Sequence, residues 1–347
     1  MPLYAVYTLL FSGSGLDTSQ ISVLLVIWSA TAVVLEVPSG ALADRFSPRA
    51  ALVAGGVLRA AGYALWIVAP GFAGFAAGFV LWGASGSLES GSFQSLLYSG
   101  LDRYGAAETY TQVLGRTEAL ARVAEVGATL AAAPLLVLGG TTLVGWVSVG
   151  VCLIGSAVAV GFPGPEIAAA APGGGAPIGE KGEDEPRYVE LLRSGVREAW
   201  GHPRVRRLVI VLAVVYGCTA VDEYVPLLAR AASVPKAWIP VVLASLPLAA
   251  AAGNALSGAA SRARPAAVGL PLVAATAVLA VTAAAGSPAL LPVLGCWWLL
   301  VNLASVLADT RLQDAVSGPA RATVTSVAAL GSELAAIAMF LVVAALS

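Results

Sequence analysis

The sequence predicts an all-α polytopic membrane protein, and three observations carry that expectation. The 347 residues are 58% hydrophobic and only 11% charged, whereas soluble domains carry roughly 25% charged residues. Mean hydropathy is +0.85. Apolar runs of roughly 18 to 25 residues recur along the chain, each long enough to cross a hydrocarbon layer of about 30 Å as a helix.

Ten complete runs are expected to cross: Thr18 to Leu42, Arg49 to Ala69, Phe72 to Tyr98, Thr109 to Leu138, Thr141 to Phe162, Arg206 to Leu228, Trp238 to Ala260, Ala266 to Ala285, Ala289 to Ala308 and Ala322 to Leu346. A shorter segment, Pro2 to Phe11, precedes them; about ten residues span only about 15 Å as a helix. Turn formers separate the runs, as at Ala69-Pro70-Gly71, Gly139-Gly140-Thr141 and Gly286-Ser287-Pro288, so neighbouring helices are tightly hairpinned. Glycine and alanine are frequent inside the runs, as close helix approach in lipid requires.

Loops that retain Lys and Arg mark the cytoplasmic side. With the Asp44 to Arg49 loop inside, one side holds Arg45, Arg49, Arg103, Arg262, Arg264, Arg311, Arg321 and the seven basic residues from Lys181 to Arg207, while the other holds only Arg230 and Lys236. The chain is therefore expected to be a multi-pass protein of the plasma membrane with a cytoplasmic central loop, its main partner the lipid bilayer.

The same composition excludes other classes. With 19 Lys+Arg against 20 Asp+Glu, no basic surface points to nucleic acid. A single histidine, His202, leaves no set for a His metal site or a Ser-His-Asp triad, so no metal is expected. Cys152, Cys218 and Cys296 lie in three separate apolar stretches, which argues against zinc, redox pairs and a disulfide framework. No phosphate-cradling glycine loop of the ATPase kind occurs. An intramembrane enzyme would need a nucleophile with a nearby base, and none is visible; the chain is not expected to be an enzyme.

Residues 163–204 divide the chain into 1–162 and 205–347, each expected to form a helical bundle. The divider turns from Pro/Gly/Ala to the acidic stretch Glu180-Lys181-Gly182-Glu183-Asp184-Glu185, which reads as a solvated cytoplasmic linker. Within it Val189, Leu192, Val196 and Trp200 recur at helical spacing. That pattern predicts an amphipathic helix over about 188–200 lying on the inner membrane surface.

Between the second and third hydrophobic segments stands Gly40-Ala41-Leu42-Ala43-Asp44-Arg45-Phe46-Ser47-Pro48-Arg49. It resembles the Gly-x-x-x-Asp-Arg-x-x-x-Arg loop of the major facilitator superfamily, with Gly40, Asp44, Arg45 and Arg49 matching in type and spacing. A carboxylate and two guanidiniums at inner helix ends can pair with each other and with helix termini. The resemblance implies that they act as a latch on the swing between inward- and outward-open states; the plain alternative is a topogenic positive loop. The equivalent place in the second half holds Gly258-Ala259-Ala260-Ser261-Arg262-Ala263-Arg264, one residue shorter and without the carboxylate.

The resemblance implies a two-bundle fold of twelve crossings. Against that parent, this chain has a short first helix and ends after an eleventh, so it is expected to be truncated at both ends.

Ionisable groups at membrane depth require partners or water. Glu118, Arg122 and Glu125 stand at i, i+4 and i+7 in the fifth segment, within a ~60° arc that Thr129 continues. Ser85, Glu89 and Ser92 share a face of the fourth segment. The resemblance places segments one, four, seven and ten along the substrate passage, so Glu89 is a candidate proton carrier, with Glu118, Arg122, Glu125, Asp222, Glu223 and Glu333 as further coupling candidates and Ser85, Ser92, Tyr216 and Thr219 as candidate substrate contacts; the alternative for Glu89 is a structural bridge to Arg122. The seventh segment carries Tyr216, Thr219 and Glu223 on one face, with Asp222 turned ~100° away, and the eleventh carries Glu333 near its middle. Trp297, Trp298 and Asn302 in the tenth are candidate substrate contacts, with core packing as the alternative for the tryptophans. Glu36 and Arg59 flank the Asp44 hairpin and are expected to neutralise each other.

Together these features predict a secondary active transporter that moves a small organic or drug-like compound by alternating access. It is expected to act as a monomer with no cofactor beyond a proton gradient. Export is the expected direction, by analogy with bacterial exporters, although the Gly-Pro antiporter run of exporters is not met. An uptake carrier or uniporter of the same fold, and a non-transporting remnant, are the alternatives.

Overall fold

The structure, a computed structural model, describes residues 1–45, 47–89, 92–162, 200–261, 265–285, 290–316 and 320–347, with side chains at 36–45, 265–268, 282, 291, 320–323 and 326 outside the description. All regular structure among these residues is helical. In chain order the α-helices are α1 (Tyr7–Gly13), α2 (Thr18–Arg45), α3 (Pro48–Val68), α4 (Phe72–Glu89), α5 (Ser92–Arg103), α6 (Tyr110–Val160), α7 (Pro203–Thr219), α8 (Val225–Ala231), α9 (Ile239–Ala260), α10 (Pro265–Ala284), α11 (Leu290–Ala315) and α12 (Ala320–Leu346). Among the described residues seven helical stretches are long and apolar enough to cross a membrane. The predicted amphipathic helix lies outside the described residues except for Trp200, which is exposed.

Local chemistry sets several boundaries. Ser47 caps α3 by accepting a hydrogen bond from the Ala50 amide at 3.2 Å, and Pro48 occupies the first turn, where a missing N–H costs nothing. The runs expected at Thr109 to Leu138 and Thr141 to Phe162 appear as two helices within the stretch labelled α6, parted by non-helical backbone at Gly139 and Gly140, as the turn formers there predict. Gly140 has φ 64°, a conformation open to glycine at little cost. The run expected to continue helically to Leu228 instead leaves the α-helix after Thr219, passes through a 3-10 turn over Ala220–Tyr224 and resumes at Val225–Ala231. Pro226 stands in the first turn of α8 and has no N–H to give the Asp222 carbonyl four residues back, so a regular α-helix cannot run unbroken through this point.

The chain divides into two compact units, Met1–Glu180 (with Leu346–Ser347) and Lys181–Ala345. The first unit is organised around aromatic rings. Tyr7 and Phe11 stand one turn apart on α1, Tyr63 and Trp66 on α3, and Phe75, Phe79 and Trp82 on α4, spacings that put each set on one helix face. Tyr7, Phe11, Tyr63, Trp66, Phe75 and Phe79 are almost wholly buried. Their rings meet edge to face or tilted at centroid separations such as 4.9 Å for Phe11–Trp66 and 5.7 Å for Tyr7–Phe79, within the favourable range for such pairs. Trp66 donates its indole N–H to the Phe75 carbonyl at 3.0 Å. A Cβ added at Gly62 would lie 2.8 Å from the Gly78 carbonyl oxygen; small residues at that crossing let α3 and α4 approach closely. The short first segment therefore packs into this core, and the Leu3 amide donates to Ser148 Oγ on α6 at 2.9 Å.

In the second unit Val205, Val209 and Leu212 of α7 pack with Leu312 and Val316 at the end of α11 and with Val324 and Ala328 of α12. Gln313 donates to Thr325 Oγ1 at 3.1 Å, tying the same two helix ends.

Replacing Trp66 by alanine deletes the ring at the centre of the aromatic cluster and is expected to cost about 3–5 kcal/mol. In thermal unfolding of the purified protein, Trp66→Ala should lower the midpoint clearly. Trp146→Ala, at a site where the ring is 47% exposed, should barely move it.

Candidate functional site

The most tightly built polar constellation joins α3 to α4. Arg59 Nη2 donates to Glu89 Oε2 at 2.6 Å, and Ser85 Oγ donates to Glu89 Oε1 at 3.2 Å. The two charged side chains are 22% and 28% exposed, and Ser85 is buried. Helix geometry explains why this pair forms. The residues from Arg59 to Val68 put the arginine about 14 Å from the α3–α4 turn, and those from Phe72 to Glu89 put the acid about 25 Å away. Side chains lean toward the N-terminus of their own helix. On antiparallel neighbours these leans converge, so the two charged groups meet in the middle.

Gly55 shapes the seat. A Cβ there would lie 2.7 Å from Glu89 Cγ and 3.0 Å from Oε1, so the acid rests in a notch one helical turn from Arg59. Among the described residues, Arg59 Nε is buried without a hydrogen-bond acceptor, which costs about 1–3 kcal/mol for such a group. Each carboxylate oxygen thus accepts one bond, while the Arg59 Nε lacks an acceptor among the described residues.

Arg59 meets Glu89, a partner not named from the sequence; the expected partner Glu36 has its side chain outside the described residues. Glu89 is bridged by Arg59 rather than by Arg122, whose Nη1 donates instead to Glu125 Oε2 at 2.9 Å within its own helix. That second pair is far more open, at 73% and 36% exposure. Glu118 is exposed one turn before Arg122, and Thr129 is buried. Ser92 is spent locally, donating to the Leu88 carbonyl at 2.7 Å.

In the loop motif, Gly40, Asp44 and Arg45 fall at the end of α2, where the side chains lie outside the described residues. Arg49 is described, and its Nη1 donates to the Phe162 carbonyl at 3.1 Å, just past the C-terminus of α6. A cation at the negative end of a helix dipole is favourable, so this arginine ties the N-terminal end of α3 to the C-terminal end of α6. That partner was not foreseen, because no local spacing links positions 113 residues apart.

In the second unit the 3-10 turn carries both acids. Glu223 is buried and Asp222 partly buried, and the turn removes Glu223 from the regular helical face expected to hold Tyr216 and Thr219. Tyr216 is exposed, while the Thr219 hydroxyl donates to the Tyr216 carbonyl at 2.6 Å. Glu333 is exposed on α12. Of the two readings of the tryptophans, the structure shows core packing: Trp297 and Trp298 are 2% and 8% exposed. Trp297 donates its ring N–H to Thr276 Oγ1 on α10 at 2.9 Å. Asn302 Nδ2 donates to the Trp298 carbonyl at 2.8 Å.

Filling the notch should disturb the pair. Gly55→Val is expected to cost about 1–3 kcal/mol through overpacking, and most of that cost should vanish when Glu89 is also replaced by alanine. Gly86→Ala, where an added Cβ meets nothing within 4 Å, should be neutral or slightly stabilising in the same unfolding assay.

Comparison with known proteins places this architecture. The solved nucleoside transporter NupG superimposes with a TM-score of 0.74 at 11% identity, covering 96% of this chain and 83% of that one. A D-xylose–proton symporter gives 0.68 at 11% identity, covering 98% and 83%. A bacterial homologue of the human lysosomal transporter Spinster, in an inward-facing and unoccupied conformation, gives 0.70 at 16% identity, covering 96% and 75%. At these identities the likeness is one of fold. No curated protein matches the chain by sequence. The Major Facilitator Superfamily family model matches residues 2–340, nearly the whole chain. By that match the chain is a multi-pass membrane transporter, not an enzyme, and belongs to the Major Facilitator Superfamily.

Proposed function

We propose that this transporter moves a small organic compound by alternating access, coupled to protons through Glu89. The carrying observation is the Arg59–Glu89 pair, a guanidinium halfway along α3 and a carboxylate at the C-terminal end of α4, held together in a glycine notch. A carboxylate that exchanges between a charged, arginine-bound form and a neutral, released form gives a two-state element that a proton biases. The shared fold with a D-xylose–proton symporter supports the coupling ion. The protein is read as a monomer of the bacterial plasma membrane with its central loop cytoplasmic, a side assignment that rests on the arginine distribution.

Export is the direction expected by analogy with bacterial exporters, and it requires proton and compound to compete for the site. Uptake with protons requires that the two bind together, a reading that a displaceable ion pair favours. Both use the same acid.

Vesicles containing the protein should show flux of at least one compound from a broad panel of small organic solutes when a proton gradient is imposed. A protonophore should abolish that flux. Glu89→Gln should remove its dependence on the gradient while leaving exchange of the compound across the membrane measurable. Gradient-driven flux that persists in Glu89→Gln would contradict the assignment, as would no flux of any compound.

A further inference from the structure

We propose that the Glu118–Arg122–Glu125 face of α6 is a docking site for a zwitterion, a compound that carries an ammonium and a carboxylate on neighbouring atoms in the manner of an amino acid. The inference rests on the transport reading above and deepens it by naming the class of compound that is carried.

Depth and exposure carry the inference. The part of α6 before the break at Gly139, Tyr110 to Leu138, is about 42 Å long, and Arg122 and Glu125 lie within about 3 Å of its middle. Glu118 stands about 9 Å from the middle, toward Tyr110. At about 100° per residue the three fall within an arc of about 60°. Arg122 is 73% and Glu125 36% exposed, and Glu118 is exposed. An open guanidinium at such depth cannot face hydrocarbon, so the face looks onto water or polar groups. Small residues leave room beside it. Gly115 and Ala121 stand at the two edges of the arc; a Cβ added at Gly115 would meet nothing within 4 Å, and Ala121 is exposed.

The three charges are unequally engaged. Among the described residues Arg122 gives one hydrogen bond, from Nη1 to Glu125 Oε2 at 2.9 Å, out of the five N–H donors of a guanidinium. Glu118 forms no ion pair among the described residues, although the i, i+4 spacing brings its Cβ to about 5–6 Å from that of Arg122. A carboxylate and a guanidinium therefore stand side by side, each open to solvent and each with bonding capacity left. A plain amine is attracted by Glu118 and repelled by Arg122, and a plain carboxylate meets the reverse. A molecule with both groups on neighbouring atoms answers both, its ammonium on Glu118 and its carboxylate on the planar fork of the guanidinium. Glu125 takes one donor of that fork and leaves the others for the ligand.

The test uses the full chain in nanodiscs and reads ligand protection against thermal unfolding. The probes are the common amino acids, each set beside the amine that lacks its carboxylate and the acid that lacks its amino group. At least one amino acid should protect, with its amine and its acid about tenfold weaker or worse. Glu118→Gln should weaken that amino acid about tenfold and leave it no better than the acid. Arg122→Gln/Glu125→Gln, which removes the internal pair as a unit and orphans neither charge, should weaken it by a similar factor and leave it no better than the amine. Without ligand both variants should unfold close to the midpoint of the parent protein, because the Arg122–Glu125 pair is open to solvent and Glu118 is exposed.

Equal protection by the amine or the acid in the parent protein would overturn the proposal. So would an amino-acid affinity that is unchanged in either variant, or the absence of protection by every amino acid tested. Binding is read here without any gradient, so amino-acid binding with no gradient-driven flux would remove the transport reading and leave this one standing. Flux of another compound with no amino-acid binding would remove this one and leave the transport reading.

Discussion

A charge inside an apolar bundle must be answered by a neighbour, and the first unit is arranged around one such answer. Arg59 sits about halfway along a helix of 21 residues, where an uncompensated guanidinium is costly. Its partner comes from the adjacent helix, and the opposed lean of side chains on antiparallel helices brings the two groups into contact. A hydrophobic pair of equal volume would serve stability as well or better. Stability alone therefore does not account for the ion pair, and the proton-sensitive switch proposed above would.

The surrounding packing makes the pair possible. Gly62 and Gly78 let α3 and α4 come close, Gly55 opens the notch for Glu89, and the aromatic cluster of Tyr7, Phe11, Tyr63, Trp66, Phe75 and Phe79 fills the space toward the α3–α4 turn. Aromatic rings gain from mutual edge-to-face contact even where burial itself brings no hydrophobic gain. The result is a rigid half-bundle next to a polar seat, so that a change at Glu89 is passed to whole helices rather than absorbed locally.

Much of this was legible in the chain. Apolar run length located the helices, the Gly139-Gly140 pair marked a break inside α6, and Ser47-Pro48 marked the start of α3, because these signals are local. The family followed from Gly40, Asp44, Arg45 and Arg49 in their place between two runs. Pairings across helices were not legible: depth alone does not point from Arg59 to Glu89, and helix adjacency with the opposed lean of the side chains brings the two together. The burial of Trp297 and Trp298 likewise depends on which face of α11 meets α10, and their adjacency in sequence says nothing about that. The turn at Ala220–Tyr224 was signalled by Pro226 but masked by the apolar residues around it. The Arg49–Phe162 contact had no signal, because it closes a loop over a whole unit.

The central claim is that Arg59 and Glu89 are energetically one element. A double-mutant cycle of Arg59→Gln, Glu89→Gln and the combined variant, read as unfolding free energy in bicelles, tests it most directly. Each single change should destabilise strongly and the combined change much less, giving a coupling energy of about 1.5–3 kcal/mol. A coupling within about 0.5 kcal/mol of zero would mean that the two charges do not depend on each other, and the account built on their exchange would be wrong.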